Sequence, residues 1–183
     1  MPYGLKRFQQ SRQPHVVTFT CYHRRLGLDS PEVYDLFVEV LENMRRRFAM
    51  CVYGFVVMPE HVHLLVSEPP CGTLADAIHY LKLSFAKRLR RHSQGSSSCV
   101  FWQQRYYDRN VRDEREFKEK LRYLHRNPVK RGLVRDPAEW KWSSFRHYAW
   151  REIGVVEIES EWTARERETH AKGGDERIFL NPG

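Results

Sequence analysis

Apolar residues recur along the chain at two spacings, which predict a mixture of strands and helices. Residues 15–22, HVVTFTCY, are rich in β-branched and aromatic side chains and predict a strand. Ser30 is a suitable helix cap, because residues 31–48 carry apolar side chains every three or four positions. Residues 51–58 and 61–67 are again rich in strand-forming residues, and the Pro-Glu pair between them favours a hairpin over one continuous helix.

The second half of the chain continues this alternation. Thr73 and Asp76 form an approximate capping box ahead of a helix with apolar residues on one face. Residues 100–107 predict a further strand, and Asp113 is the expected cap of a third helix that ends at Pro128. The order of the elements indicates an α+β domain, in which helices cover one face of an antiparallel, ferredoxin-like sheet.

The composition is that of a folded protein without a membrane segment. Among 183 residues, 41% are apolar and 30% are charged, so the chain has the hydrophobic content that disordered proteins lack and is too polar for a membrane protein. The first residues carry no apolar run of the kind found in secretory signals. We therefore expect a cytoplasmic protein with no membrane partner.

Positive charge is concentrated in one part of the sequence. The net charge is +8, yet residues 84–135 hold 15 basic and 5 acidic residues, whereas residues 152–183 hold 4 basic and 8 acidic ones. Aromatic residues are interleaved with the basic segment, a combination that suits contacts with phosphates and stacking of unpaired bases. A solvated basic surface that only aids solubility explains the same charges, so charge alone leaves both interpretations open.

Two histidines in the predicted hairpin are the first candidates for chemistry. Side chains alternate along residues 61–66, HVHLLV, so His61 and His63 share one face of the strand and the valines share the other. We expect helices to cover the valine face and to leave the imidazoles on an open face, where both can reach one divalent ion. Two half-exposed histidines without a ligand are the alternative interpretation.

The third predicted helix carries a polar stripe beside its apolar face. Tyr123 and Asn127 are four residues apart and therefore lie on the same side of the helix, together with Glu116 and Lys120. Taken singly, a tyrosine at the rim of a core and an asparagine before a proline are ordinary features. Their combination with the histidine pair is what points to a site.

These motifs resemble those of a known family. Residues 59–65, PEHVHLL, are similar to the His-hydrophobic-His motif of the IS200-like, single-tyrosine HUH transposases. Residues 123–134, YLHRNPVKRGLV, followed by Trp-Ser-Ser at 142–144, resemble the branch called REP-associated tyrosine transposases. The resemblance extends from about residue 15 to residue 150. It therefore predicts a transposase domain over residues 1–150 and an acidic, partly disordered tail over residues 151–183.

The resemblance implies a metal-dependent reaction at a tyrosine. Members of the family bind Mg²⁺ or Mn²⁺ through the histidine pair and a polar side chain one turn after the tyrosine, which here are His61, His63 and Asn127. Many relatives have glutamine in place of Asn127. Tyr123 is the implied nucleophile: it would attack a phosphate of single-stranded DNA beside a hairpin, form a covalent 5′-phosphotyrosine and release a 3′-hydroxyl.

The basic segment supplies the candidates for holding the hairpin. Phosphate contacts would provide affinity, and aromatic rings would stack on unpaired bases. The candidate phosphate contacts are Lys87, Arg88, Arg90, Arg91, Arg105, Arg109 and Arg112, and the candidate stacking residues are Trp102 and Tyr106.

The sequence thus predicts a metal-dependent single-stranded DNA endonuclease and strand transferase that acts next to hairpins, in the cytoplasm of a bacterium and associated with the nucleoid. A hairpin-binding protein that has lost cleavage is the first alternative. A zinc hydrolase built on the two histidines is the second, although it lacks an obvious third ligand and leaves Tyr123 unexplained. A monomer and a homodimer are both compatible with the sequence.

Overall fold

The structure is a computed structural model that describes residues 13–92 and 100–175, with the side chains of residues 170–175 excepted. Its strands and helices are β1 (His15–Thr20), α1 (Pro31–Arg47), β2 (Val52–Val57), β3 (His61–Val66), α2 (Leu74–His92), β4 (Tyr107–Asn110), α3 (Glu114–Lys130), α4 (Phe145–Trp150) and α5 (Glu161–Asp175). No helix within the described ranges is both long enough and apolar enough to cross a bilayer. The element order confirms the predicted α+β class.

The four strands form an antiparallel sheet in the order β2-β3-β1-β4, which confirms the ferredoxin-like arrangement. The register places Val56, His63, Thr18 and Tyr107 opposite one another on the four successive strands. We call these four residues the His63 row. Because directly opposed residues point to the same face, the row defines one face of the sheet, which we call the histidine face.

Helices α1 and α2 pack on the other face. Phe37 of α1 lies 6.1 Å from Phe19 of β1 and 5.3 Å from Phe85 of α2, measured between ring centroids. Trp102 joins this cluster, 4.9 Å from Phe19. The strand predicted over residues 100–107 is therefore wrong: Trp102 makes only an isolated bridge, because its large side chain fills the core, and β4 begins at Tyr107.

Helix α3 lies across the histidine face, which the sequence interpretation had left open. It contacts β2 and β3. A Cβ atom added to Gly54 would stand 2.7 Å from Cδ1 of Leu121, so glycine on β2 permits the close approach of the helix. Tyr107 lies on β4, on the half of the histidine face that β1 and β4 form, and 41% of its surface is accessible.

Helix α3 continues past the proline that we expected to end it. Pro128 lies inside the helix, close to its C-terminus, so that its ring costs one backbone hydrogen bond in the last turns. The helix ends instead at Lys130, and just beyond it Gly132 has a φ of 68° and donates to the carbonyl of Val129, while Leu133 donates to the carbonyl of Pro128. This pair of bonds is a Schellman motif, in which glycine supplies the left-handed conformation.

The C-terminal residues cover the edge of β2. The backbone N–H groups of Ser144 and Glu159 donate to carbonyls of β2 at 3.0 and 2.8 Å, and Ile158 is buried. Such cover protects an edge strand from pairing with other chains. Part of the expected acidic tail thus belongs to the core, because Val156 and Ile158 provide apolar side chains that a count of charges overlooks.

A buried histidine links β1 to β4 and to the end of β3. His15 lies 2.7 Å from a carboxylate oxygen of Asp108 through Nδ1 and 2.9 Å from Glu68 through Nε2. Burial by itself lowers the pKa of His15, but the hydrogen bonds and charges of the two carboxylates outweigh it and raise the pKa above 6.5.

This raised pKa predicts how stability depends on pH. The stabilising contribution is complete below pH 6.5, the ordinary value, and is lost as the pH rises through the higher pKa of the folded state. The free energy of unfolding, measured with urea between pH 6 and 9, should therefore fall with rising pH. The variant His15→Gln should lose about 1–3 kcal/mol at pH 6 and show a flatter pH profile. The exposed His79→Gln is the matched control, and equal profiles for the two variants would contradict the assignment.

Candidate active site

The two histidines of β3 lie side by side on the histidine face, as the alternation predicts. Their ring centroids are 4.6 Å apart. Nδ1 of His63 lies 2.6 Å from the hydroxyl of Thr18, and Nδ1 of His61 lies 3.3 Å from a carboxylate oxygen of Glu60. When each Nδ1–H donates to its neighbouring oxygen, the Nε2 lone pair of each ring remains available to a ligand.

Both imidazoles are neutral at neutral pH. Burial, and after it the charge of His61, lowers the pKa of His63 to about 3. Burial also lowers the pKa of His61, although Glu60 opposes the shift. Since only a neutral imidazole offers a lone pair to a cation, the pair can act as metal ligands at physiological pH.

Tyr123 stands next to this pair. Its ring centroid is 5.5 Å from that of His63, and 45% of the residue is exposed. The ammonium nitrogen of Lys130 lies 5.0 Å from the centre of the same ring. The phenol is therefore accessible from solvent, beside the histidines and beside a positive charge.

Asn127 lies on the same side of α3 as Tyr123, one turn further along the helix. It is one helical turn from Tyr123 and one turn from Arg131, and Arg131 donates to the buried carboxylate of Glu60, beside His61. Asn127 is only 5% exposed, and its side-chain nitrogen finds no hydrogen-bond partner among the residues that the structure describes. A buried N–H donor without a partner marks a place where an acceptor oxygen is missing from the protein's own contacts, whereas a cation would be bound by the oxygen of the same amide.

The donor set fits a divalent ion of the Mg²⁺ or Mn²⁺ type better than zinc. Within residues 13–92 and 100–169, no three His, Cys, Asp or Glu side chains converge on one point. Two imidazoles and one amide leave most of an octahedral shell to water and phosphate oxygens, as these ions accept, and Mn²⁺ tolerates imidazole better than Mg²⁺ does. The zinc alternative therefore gains no support from the described residues.

Two residues whose roles the sequence analysis did not assign hold α3 in place. Nε2 of His125 lies 2.9 Å from the hydroxyl of Ser144, and that oxygen accepts from the backbone N–H of Phe55 on β2 at 3.0 Å. Burial lowers the pKa of His125 to about 4, so this histidine is also neutral. One feature of the sequence indicates this role. His125 is two residues from both Tyr123 and Asn127, so it lies on the opposite side of α3 from them.

The basic candidates on α2 do not surround the histidines. Helix α2 packs on the other face of the sheet, and its residues Lys87, Arg88, Arg90 and Arg91 lie in that helical layer. Arg88 is 3.6 Å from Glu39 of α1. Any DNA contact by α2 would thus be made on a different surface from the one that bears Tyr123.

The candidates near β4 fall into two groups. Arg105 and Arg112 are exposed, and Arg109 is partly exposed although it forms an ion pair of 2.9 Å with Glu116. The aromatic candidates are less accessible: Trp102 is 5% exposed and Tyr106 packs against the core. The prediction that Trp102 stacks on bases is wrong for this structure, because the aromatic cluster beneath the sheet encloses its ring.

Comparison with known proteins identifies the family of this chain. The family described as IS200-like transposase matches residues 9–127, a range that includes the histidine pair, Tyr123 and Asn127. This chain belongs to that family. The match covers well over half of the chain, and it ends at the asparagine of α3.

Two similar proteins carry more specific names. A protein of Haemophilus influenzae named "Putative REP-associated tyrosine transposase" is 31% identical over 105 residues, which are 53% of this chain and 60% of that protein. The "REP-associated tyrosine transposase" of Escherichia coli K12 is 24% identical over 112 residues, 61% of this chain and 64% of the relative. The matched region spans less than two thirds of either relative.

A solved structure of a REP-associated tyrosine transposase bound to a REP hairpin has the same fold. The TM-score is 0.67 at 19% sequence identity, and the superposition covers 86% of this chain and 92% of that one. Family membership and fold are therefore shown independently, by sequence and by structure.

The contact between His125 and Ser144 can be tested by a double-mutant cycle. His125→Ala removes a buried hydrogen bond and leaves a cavity, so it should lower the free energy of unfolding by about 1–3 kcal/mol, as measured with urea. Ser144→Ala in the same background should then cost less than it does alone. Arg126→Ala, an exposed neighbour on α3, is the control and should change stability by less than about 0.5 kcal/mol. Strictly additive effects would show that the two side chains do not interact.

Proposed function

We propose that this protein is a metal-dependent endonuclease and strand transferase that acts on single-stranded DNA next to hairpins. The observation that carries the proposal is the placement of the accessible Tyr123 ring 5.5 Å from His63, in a site that also contains the unpartnered amide of Asn127. Membership of the IS200-like transposase family supports the same reaction.

The metal would be held by His61, His63 and Asn127. When bound, Mg²⁺ or Mn²⁺ supplies Lewis-acid chemistry: it polarises the scissile phosphate and stabilises negative charge on the leaving oxygen. The neutral imidazoles supply lone pairs, and Thr18 and Glu60 orient them through their Nδ1 atoms. Arg131 holds Glu60 in place from the end of α3.

Tyr123 would supply the nucleophile. Its phenolic oxygen forms a bond to phosphorus while the bond from phosphorus to the 3′ oxygen breaks; the phenolic proton is lost and the leaving oxygen becomes a 3′-hydroxyl. The 5′ phosphate is then an ester of Tyr123, and attack by a free 3′-hydroxyl reverses the step, which joins strands without a nucleotide cofactor. Lys130, whose ammonium lies over the Tyr123 ring, would add a positive charge that favours a phosphate beside the tyrosine.

The proposed partner is hairpin DNA with an unpaired flank. The relative of known structure is bound to a REP hairpin, and the net charge of +8 favours binding to phosphates. Such a substrate would place the activity in the bacterial cytoplasm, at the nucleoid. A monomer would present one complete site, since all the named residues come from one chain, and a homodimer would present two.

Replacement of Tyr123 tests the nucleophile. Tyr123→Phe removes only the hydroxyl, so binding to a hairpin with unpaired flanks should persist while the covalent protein–DNA adduct disappears from denaturing gels. Tyr80→Phe, on α2 behind the sheet, is the matched control and should keep the adduct. If Tyr123→Phe formed as much adduct as the unaltered protein, Tyr123 would be excluded as the nucleophile. Binding by the unaltered protein without any adduct would favour the hairpin-binding alternative.

Replacement of a histidine tests the metal site. Calorimetric titration with Mn²⁺ should show one site in the unaltered protein and none in His63→Ala, because the variant lacks one of two imidazole ligands. His79→Ala, exposed on α2, should bind as the unaltered protein does. A chelator should abolish cleavage, and added Mn²⁺ should restore it except in His63→Ala. Cleavage that is unaffected by the chelator would rule out a role for the metal.

A further inference from the structure

Tyr107 lies in the same row of the sheet as His63. It is opposite Thr18 on the neighbouring strand, and Thr18 is in turn opposite His63. Neighbouring strands are about 4.8 Å apart, so Tyr107 is two strand spacings, or about 10 Å, from His63. Helix α3 packs mainly on β2 and β3 and meets β4 through the ion pair of Glu116 with Arg109, yet 41% of Tyr107 is exposed.

The orientation of Tyr107 is fixed by its neighbour in the strand. Asp108 points to the opposite face, where it is buried and lies 2.7 Å from His15. Because side chains alternate along a strand, this buried contact turns Tyr107 and Arg109 to the histidine face. Arg109 keeps 42% of its side chain exposed while it pairs with Glu116, so the tyrosine has a cationic neighbour on the same face.

Other aromatic residues of the basic segment are less suited to contact DNA. Trp102 is buried in the core, and Phe101 and Tyr106 are partly buried against it. Tyr107 is the exposed ring that directly follows them, at the open half of the histidine face.

We propose that Tyr107 is a stacking platform for an unpaired base near the scissile phosphate. The proposal rests on the function proposed above and adds to it a subsite with a stated ligand, the π-face of a nucleobase. An aromatic ring stacks on any unpaired base, whereas a base within a duplex is covered by its neighbours. Tyr107 therefore selects single-stranded flanks without selecting their sequence.

The test compares two probes in the presence of a chelator, so that binding is measured without cleavage. One probe is a DNA hairpin with unpaired flanks that carry 2-aminopurine at successive positions, and the other is the same hairpin with blunt ends. Tyr107→Ala should weaken binding of the flanked probe by about 5- to 150-fold and leave binding of the blunt probe unchanged. Tyr107→Phe and Tyr107→Trp should retain affinity, because the ring and not the hydroxyl makes the contact.

Fluorescence locates the contact. The unaltered protein should quench 2-aminopurine at one position of the flank, and Tyr107→Ala should abolish that quenching while Trp150→Ala, an exposed aromatic on α4, should not. Unchanged affinity of Tyr107→Ala for the flanked probe would overturn the proposal, and so would an equal loss on both probes. Adduct formation by the unaltered protein with metal reports the proposed function separately, so failure of one is distinguishable from failure of the other.

Discussion

The packing of α3 on the histidine face is the constraint on which the site depends. Gly54 lets the helix approach β2, and His125 binds the hydroxyl of Ser144, which is itself bonded to the backbone of that strand. At the other end of the helix, Arg131 reaches the buried carboxylate of Glu60. These contacts fix both the position and the rotation of α3. Tyr123 therefore meets His63, and the two motifs, which are far apart in sequence, are adjacent in the fold.

The hydrogen bonds of the site explain how its buried polar side chains can be accommodated. A buried polar group costs free energy unless it is hydrogen-bonded, and His63 meets this condition through Thr18. His61 does so through Glu60, whose charge Arg131 balances. Asn127 is the exception, since its nitrogen has no partner among the described residues. The surroundings thus fix the orientation of the imidazoles, and the amide nitrogen of Asn127 is left able to donate to an acceptor oxygen.

Local patterns in the sequence predicted most strands and helices. The differences between prediction and structure come from contacts between residues that are far apart in the sequence. The caps at Ser30 and Asp113 depend only on nearby residues, and both accept the expected backbone hydrogen bonds. The alternation in β3 likewise placed the histidines correctly. By contrast, the burial of Trp102 depends on rings from three other elements, and the return of Ile158 to β2 depends on an unprotected strand edge. Neither condition can be read from a short segment of sequence.

The same distinction applies to the proposed DNA surface. A count of charges identifies a basic segment, but it does not show which side chains share a face with the histidines. The buried contact between His15 and Asp108, on the opposite side of the sheet, determines which side chains of β4 lie on the histidine face. A shift of one residue in the register would turn Asp108 toward the site and Tyr107 toward the core. Placing a carboxylate beside the proposed phosphate site would repel DNA, so a buried contact remote from the site determines the charge that the site presents.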